Sequence, residues 1–350
     1  MRIVALEEHF SLPTIAAHAG ANAAPKPAAA DGNTMPAVVR NVAEKITDLG
    51  TGRVEDMDLF GISVQVLSKA GNHIGPSADL FDGDEAVAFA RNLNNELART
   101  IAERPDRFVA FAHLPTSIPE AAADELERTV TEHGFKGALI SGTIRGAFLD
   151  DPKFAPLLAR AERLEVPLYI HPGMPPADVR KAYYDGFAPK ISFGLATFGW
   201  GWHYETALHV MRLAVSGTFD AYPRLNWIIG HMGEGLPAML ARCEHQFATD
   251  LSYLSRPLSK TITDQVYVTS SGFFTIPPFM VALETFGIDR LMFAVDYPYA
   301  SNEDGRGFLD SLPLSKRDLA KVAHRNADRL LKLKPAKGLK KSVANKRITG

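Results

Sequence analysis

The chain has 350 residues, 46% of them hydrophobic and 22% charged, so it is long and apolar enough to bury a large core. Its formal net charge of −2 gives no field that would attract nucleic acid or an anionic membrane surface. Apolar runs such as Val166–Ile170 are too short to cross a bilayer, and the single cysteine, Cys243, excludes an intrachain disulfide. Met1–Phe10 lacks an apolar signal region, so we expect a cytoplasmic protein.

Short apolar runs rich in β-branched residues alternate along the chain with longer segments of helical periodicity. Nearly continuous apolarity is typical of parallel strands that helices cover on the outside. Eight such strand–helix units in sequence order predict an α/β protein, a closed (β/α)₈ TIM barrel rather than an open sheet. The predicted strands are Ile3–Leu6, Ile62–Leu67, Phe108–Phe111, Gly137–Ile140, Pro167–Ile170, Asn226–Ile229, Val266–Thr269 and Leu291–Val295. The predicted helices are Asp84–Arg104, Pro119–His133, Phe154–Leu164, Tyr204–Ser216, Leu236–Phe247, Pro277–Phe286 and Pro313–Leu331.

Three segments depart from this alternation. Ala16–Ala37 is rich in Ala, Gly and Pro, which predicts a long loop inserted after strand one. We expect this loop to lie over the barrel mouth or to contact a neighbouring subunit. Met174–Trp202, after strand five, is rich in Gly, Pro and aromatic residues. A C-terminal helical extension leads into the basic stretch Lys332–Gly350, so we expect a barrel over residues 1–333 and a flexible basic tail over 334–350.

Carboxylate and imidazole side chains recur where the predicted strands end, at the edge that holds the active site in barrels of this kind. Along an extended strand one, Glu7 and His9 share a face that Glu8 does not. His171 ends strand five and Asp296 ends strand eight. Two imidazoles and two carboxylates suit zinc or manganese and leave room for water or substrate. Each residue also has an ordinary alternative: a satisfied strand-end histidine, a helix cap for Asp296, or a surface charge for Glu7.

A second unit follows strand six, where His231 stands at the strand tip and Glu234 lies three residues on. We expect Glu234 to orient the His231 ring for acid–base catalysis, or alternatively only to favour the start of the next helix. Arg242, within that helix, either holds a substrate carboxylate or pairs with a surface acid, and His73, after strand two, is a possible substrate contact. A packing or surface role is expected for His113, His133, His203, His209, His245 and His324.

These residues resemble the amidohydrolase superfamily, in particular its branch of aromatic-acid decarboxylases, the γ-resorcylate, 2,3-dihydroxybenzoate and salicylate decarboxylases. The resemblance covers most of residues 1–333, and Trp200–Glu205 together with Gly230–Glu234 is highly specific for the branch. The stretches that carry it are Ala5–Phe10, His171–Gly173, Phe198–Arg242, Phe293–Pro298 and Ala323–Ala327.

The resemblance implies one divalent metal ion held by Glu7, His9, His171 and Asp296, with zinc as the first choice and manganese or magnesium as alternatives. It implies that His231, Glu234 and Arg242 line the substrate site. The implied substrate is a small aromatic carboxylic acid, and the implied assembly is a homotetramer or homodimer.

Three functions compete for this set of residues. In nonoxidative decarboxylation of a hydroxylated benzoate, Asp296 donates the proton, and His231 and Glu234 complete the proton path. In hydrolysis of an ester, lactone or amide, Asp296 instead acts as the base toward water. The third is a non-enzymatic metal-binding module, which would lack a pocket beside the ion. The Trp200–Glu205 stretch favours decarboxylation.

Overall fold

A computed structural model of the chain describes residues 1–12, 42–69 and 81–334. The predicted loop Ala16–Ala37, the candidate residue His73 and the tail from residue 335 onward lie outside these ranges. The boundary between barrel and tail therefore stays a prediction. Among the residues that are described, no helix is long and apolar enough to cross a membrane.

Eight parallel strands follow one another around the sheet in chain order. Strands β1 to β3 and β4 to β8 form two continuous runs of pairing. Parallel bridges join the runs at both junctions, between Ala112 and Ala138 and between Leu6 and Ala294. The predicted (β/α)₈ barrel is thus confirmed. The strands are β1 Val4–Phe10, β2 Val64–Lys69, β3 Phe108–Ala110, β4 Ala138–Ser141, β5 Leu168–His171, β6 Trp227–Ile229, β7 Val266–Thr269 and β8 Leu291–Met292.

Helices cover the outside of the strands, and the predicted helical segments are recovered with small shifts at their ends. The segment Met174–Trp202 contains two helices, and Pro313–Leu331 is divided by the π-helical turn Lys321–Arg325 rather than forming one α-helix. The α-helices are α1 Ala43–Thr47, α2 Thr51–Leu59, α3 Gly83–Glu103, α4 Pro119–His133, α5 Ala155–Leu164, α6 Ala177–Tyr183, α7 Pro189–Ala196, α8 Gly201–Val215, α9 Thr218–Ala221, α10 Leu236–Phe247, α11 Leu258–Gln265, α12 Ile276–Phe286, α13 Asn302–Ser311, α14 Lys316–Ala320 and α15 Asn326–Leu330. The 3₁₀ turns are Pro152–Phe154, His231–Gly233 and Ile288–Arg290.

The barrel interior is filled by its own cluster of buried side chains, separate from the larger core between strands and helices. Each strand or its immediate flank contributes to this interior cluster, so it is a packed core rather than a channel. It forms the floor beneath the strand ends. Its members from the strands and from the residues that closely follow them are Val4, Leu6, Val64, Val66, Phe111, Leu139, Tyr169, Ile228, Tyr267, Met292 and Ala294.

Strand β1 contains an irregularity that bears directly on the candidate ligands. Its register against β2 shifts between Ala5, opposite Gln65, and Glu8, opposite Leu67. One extra residue therefore lies in β1, and Glu7 adopts a left-handed backbone with φ 62°. The simple alternation expected for Glu7 and His9 is wrong in detail, since a bulge rather than an unbroken strand sets the direction of the Glu7 side chain.

Candidate metal centre and active site

Four side chains from three different parts of the barrel mouth converge on one point. The ligand atoms of Glu7, His9, His171 and Asp296 all lie within 4.8 Å of one another. His9 Nε2 is 3.2 Å from an Asp296 oxygen, and His171 Nε2 is 3.3 Å from Oε1 of Glu7. The structure thus brings together the four residues that the sequence predicted as metal ligands.

Both imidazoles are held from the ring nitrogen that faces away from this cluster. His171 Nδ1 donates to the carbonyl oxygen of Pro172 at 2.7 Å, and since a carbonyl only accepts, the Nδ1 hydrogen is fixed there. His9 Nδ1 lies 3.2 Å from the hydroxyl of Ser68. The Nε2 atoms are therefore turned toward the cluster, the orientation that metal-binding histidines require.

The two carboxylate oxygens of Glu7 have different surroundings: Oε2 is hydrogen-bonded to neighbouring side chains, and Oε1 faces the cluster. Oε2 accepts hydrogen bonds from the hydroxyls of Tyr169 and Ser271, and Thr269 lies 3.5 Å away. Within the described chain, Oε1 has no hydrogen-bond partner and neither does Nε2 of His9, although both atoms are buried. Unpaired buried polar atoms are costly, so this donor set fits one divalent metal ion.

Gly230, at the end of β6, makes this arrangement of Glu7 possible. A Cβ atom built on Gly230 would lie 2.6 Å from Oε2 of Glu7, closer than any real contact of that kind. The carboxylate therefore occupies space that a side chain at position 230 would fill.

Next to the cluster, one carboxylate is shared by two histidines. His231 Nδ1 lies 2.7 Å from Oε1 of Glu234, which is the hydrogen bond expected from the sequence. His203 Nδ1 lies 2.6 Å from the other oxygen, Oε2. His231 Nε2 points back toward the cluster, 3.7 Å from Glu7 and 3.8 Å from Asp296. His231 thus connects Glu234 with the candidate metal centre.

His203 was expected to pack or to lie on the surface, and that prediction is wrong. It is buried on α8, contacts Glu234 and lines the cavity described below. Its Nε2 donates to the carbonyl oxygen of Phe198 at 3.0 Å, so both ring nitrogens face groups that accept. Its place in the branch-specific Trp200–Glu205 stretch was the sequence signal that pointed to it.

The charges in this site stabilise one another. Burial alone would raise the pKa of Glu234, but His231 and His203 bring that pKa down to about 2. Burial alone would lower the pKa of His231, but the negative charges of Glu234 and Glu7 raise it well above the ordinary value. Burial alone would raise the pKa of Asp296, but the nearby imidazoles of His231 and His9 outweigh this effect and lower it. At neutral pH a protonated imidazole therefore stands beside an ionised Asp296.

A cavity of about 200 Å³ opens onto these groups. A dry cavity of about 150 Å³ is enough for benzene, so the space suits a single aromatic ring. Its lining includes four polar side chains, those of His171, His203, His231 and Asp296. It also includes five aromatic side chains, those of Phe193, Phe198, Trp202, Phe273 and Tyr299.

The two predicted substrate-binding residues have different outcomes. Arg242 is exposed on α10, and the cavity wall formed by the described residues does not include it. His73 lies outside the described ranges. Both remain predictions, and within the described part of the chain the cavity is instead lined mainly by the segment from α7 to α8 and by the loops after β7 and β8.

Comparison with known proteins places the chain in a family. The amidohydrolase family model matches residues 9–333, and the chain belongs to this family. Decarboxylase orsB of Emericella nidulans is 39% identical over 84% of this chain and 89% of that protein. Gamma-resorcylate decarboxylase of Rhizobium radiobacter is 35% identical over 94% of this chain and 98% of that protein.

A solved structure gives the same result. Dihydroxybenzoic acid decarboxylase of Polaromonas sp. JS666, crystallised with manganese and the inhibitor 2-nitroresorcinol, superposes with a TM-score of 0.82. It is 33% identical, and the match covers 95% of this chain and 97% of that one. Within the amidohydrolase family the chain groups with aromatic-acid decarboxylases, which are carboxy-lyases, as its sequence predicted. The four converging side chains support a single divalent metal site.

Proposed function

We propose that the chain catalyses the metal-dependent, nonoxidative decarboxylation of a hydroxylated benzoate. The observation that carries this proposal is the cavity: it has the size of one aromatic ring and opens directly onto the four-residue cluster and His231. Its aromatic side chains suit the faces of a planar ring, and its polar side chains suit carboxylate and phenol oxygens. The names of the relatives agree with this chemistry.

Glu7, His9, His171 and Asp296 would hold the metal ion. When bound, the ion would supply positive charge for the substrate carboxylate and the neighbouring phenol oxygen. We propose manganese as the resident ion, supported by its presence in the Polaromonas structure and by the mixed imidazole and carboxylate donor set. Zinc, the first choice from the sequence, is the comparison ion for the test below.

The protein's own groups supply the proton that replaces the departing carboxylate. The bond between ring carbon and carboxylate breaks, its electron pair stays on the ring carbon, and a new carbon–hydrogen bond forms there. We assign the donor role to Asp296, which lines the cavity, and the proton that it gives to the ring carbon first comes from protonated His231, whose Nε2 lies 3.8 Å away. Glu234 holds the His231 ring through Nδ1, so that Nε2 faces the cluster that contains Asp296.

We also propose that the chain forms a homo-oligomer. Exposed aromatic and aliphatic side chains concentrate on the layer around α6 to α8 and on α10, a distribution typical of a subunit interface. These residues are Tyr183, Phe187, Ile191, Trp200, Tyr204, Leu208, Met239 and Phe247. A cytoplasmic location stays a prediction.

The decisive experiment measures carbon dioxide release by purified protein from a panel of mono- and dihydroxybenzoates. Metal-free protein is reloaded with manganese or with zinc before the assay. We expect turnover of at least one ortho-hydroxylated benzoate, with higher activity in the manganese form. Cleavage of esters or lactones without carbon dioxide release from any benzoate would contradict the proposal and would assign the site to hydrolysis.

A further inference from the structure

Glu8 lies in β1 between two of the converging ligands, Glu7 and His9, but its own carboxylate points elsewhere. It is fully buried and reaches across to the end of the barrel sheet beyond β8. Oε1 accepts a hydrogen bond from the backbone N–H of Val295 at 2.8 Å, and Oε2 accepts one from the backbone N–H of Tyr297 at 3.3 Å. The two residues that donate these hydrogen bonds stand directly before and after Asp296 in the chain.

Asp296 needs such support because of its backbone. Its φ is 71°, in the left-handed region that is unfavourable for a non-glycine residue and persists only where surrounding contacts hold it. The residue's own carbonyl accepts from the N–H of Tyr299 at 2.8 Å, which closes a turn after it. Glu8 accepts hydrogen bonds from the backbone N–H groups of the residue before and the residue after Asp296, the first residue of that turn.

A buried guanidinium, that of Arg53, contacts both chain segments that Glu8 links. Arg53 of α2 is fully buried and donates from Nη2 to the carbonyl oxygen of His9 at 2.6 Å. Its guanidinium carbon lies 4.6 Å from the centre of the Tyr297 ring. Arg53 therefore contacts both partners of the arrangement, the chain just after Glu8 and the residue just after Asp296.

We propose that Glu8 is a positioning residue that fixes Asp296 in its ligand geometry before the metal ion binds. The short segment Glu7–His9 then sets the positions of three candidate ligands. Glu7 and His9 belong to the segment itself, and Asp296 is positioned by the hydrogen bonds that its two chain neighbours make to Glu8. This inference rests on the proposed metal site but not on the identity of the reaction.

The test is manganese affinity in the full-length Glu8→Gln variant, measured by titration of metal-free protein. An amide has one acceptor oxygen, so one of the two peptide N–H groups would face an NH₂ group instead. We expect affinity for manganese to fall about 10- to 100-fold, the usual scale for losing a group that orients a metal ligand. The matched control is Glu125→Gln, which removes another buried carboxylate, one that accepts from Asn94 and Arg128 and makes no hydrogen bond to the four-residue cluster or to Glu8.

Loss of affinity in Glu8→Gln with wild-type affinity in Glu125→Gln supports the proposal. Equal affinity in Glu8→Gln and wild type overturns it, and so does an equal loss in both variants. If Glu8→Gln does not fold, hydrogen exchange in metal-free wild type decides: slow exchange of the Val295 and Tyr297 amides supports the proposal, and exchange at loop rates overturns it. Because the readout is metal binding, failure to decarboxylate any benzoate would contradict the proposed function without affecting this result.

Discussion

His203 and His231 bind opposite oxygens of the same carboxylate, Glu234. We expect His203→Phe to lower turnover by roughly tenfold or more, because a hydrogen bond to a charged group contributes about 1.5–3 kcal/mol and Glu234 would then be free to turn away from His231. The measurement is kcat and KM on the substrate found in the panel. His209→Gln, on the same helix α8 but bonded to Leu149, is the control for general damage to that helix. Normal turnover in His203→Phe would show that Glu234 needs no second partner.

Asp296→Asn separates the donor role of Asp296 from its ligand role. The amide keeps one oxygen for the ion but has no proton to give, so turnover should fall about 10²-fold or more, the usual scale for removing a general acid. Metal content and substrate binding should be retained. Exchange of solvent deuterium into the ring of the phenol product should also be lost. If the variant decarboxylates normally, the proton comes from another group, and His231 is the next candidate.

Removal of two candidate ligands tests the metal site itself. In the double variant His9→Ala and His171→Ala, two of the four donors are lost, and metal content should drop at least about tenfold. Elemental analysis of the purified protein gives the answer, with His324→Ala as the control. Full retention of the ion in the double variant would mean that it binds elsewhere.

His209 makes stability depend on pH. Burial lowers the pKa of its ring to about 4, and Nε2 accepts a hydrogen bond from the backbone N–H of Leu149 at 2.9 Å. Between pH 6.5 and 4 the His209 ring is protonated in the unfolded chain but stays neutral in the folded chain. The free energy of unfolding therefore falls as the pH is lowered, by up to about 1.4 kcal/mol per pH unit. Chemical denaturation at several pH values should show a flatter dependence in His209→Gln. Identical slopes would contradict this assignment.

Much of the site could be predicted because parallel strands end at one edge of a barrel. Apolar runs identified the strands, and the polar residues that follow them, such as His171 and Asp296, had to meet there. The bulge in β1 could not be predicted, since nothing in the residue type of Glu7 indicates a left-handed backbone. His203 was missed for a different reason: it lies within a helix whose periodicity does not reveal which polar residue faces inward.

Arg242 stays a prediction, because the described residues do not decide its role. It is exposed near the middle of α10, which begins at Leu236, and it does not line the cavity that the described residues form.

The missing side chain of Gly230 has a consequence for how sequences of this kind are compared. Position 230 contributes no atom to metal binding, but any heavier residue there would compete with the Glu7 carboxylate for the same volume. A homologue that keeps all four candidate ligands but carries a side chain at this position has to place the carboxylate that corresponds to Glu7 differently, so the absence of one methyl group here shapes the cluster as much as the identity of its members does.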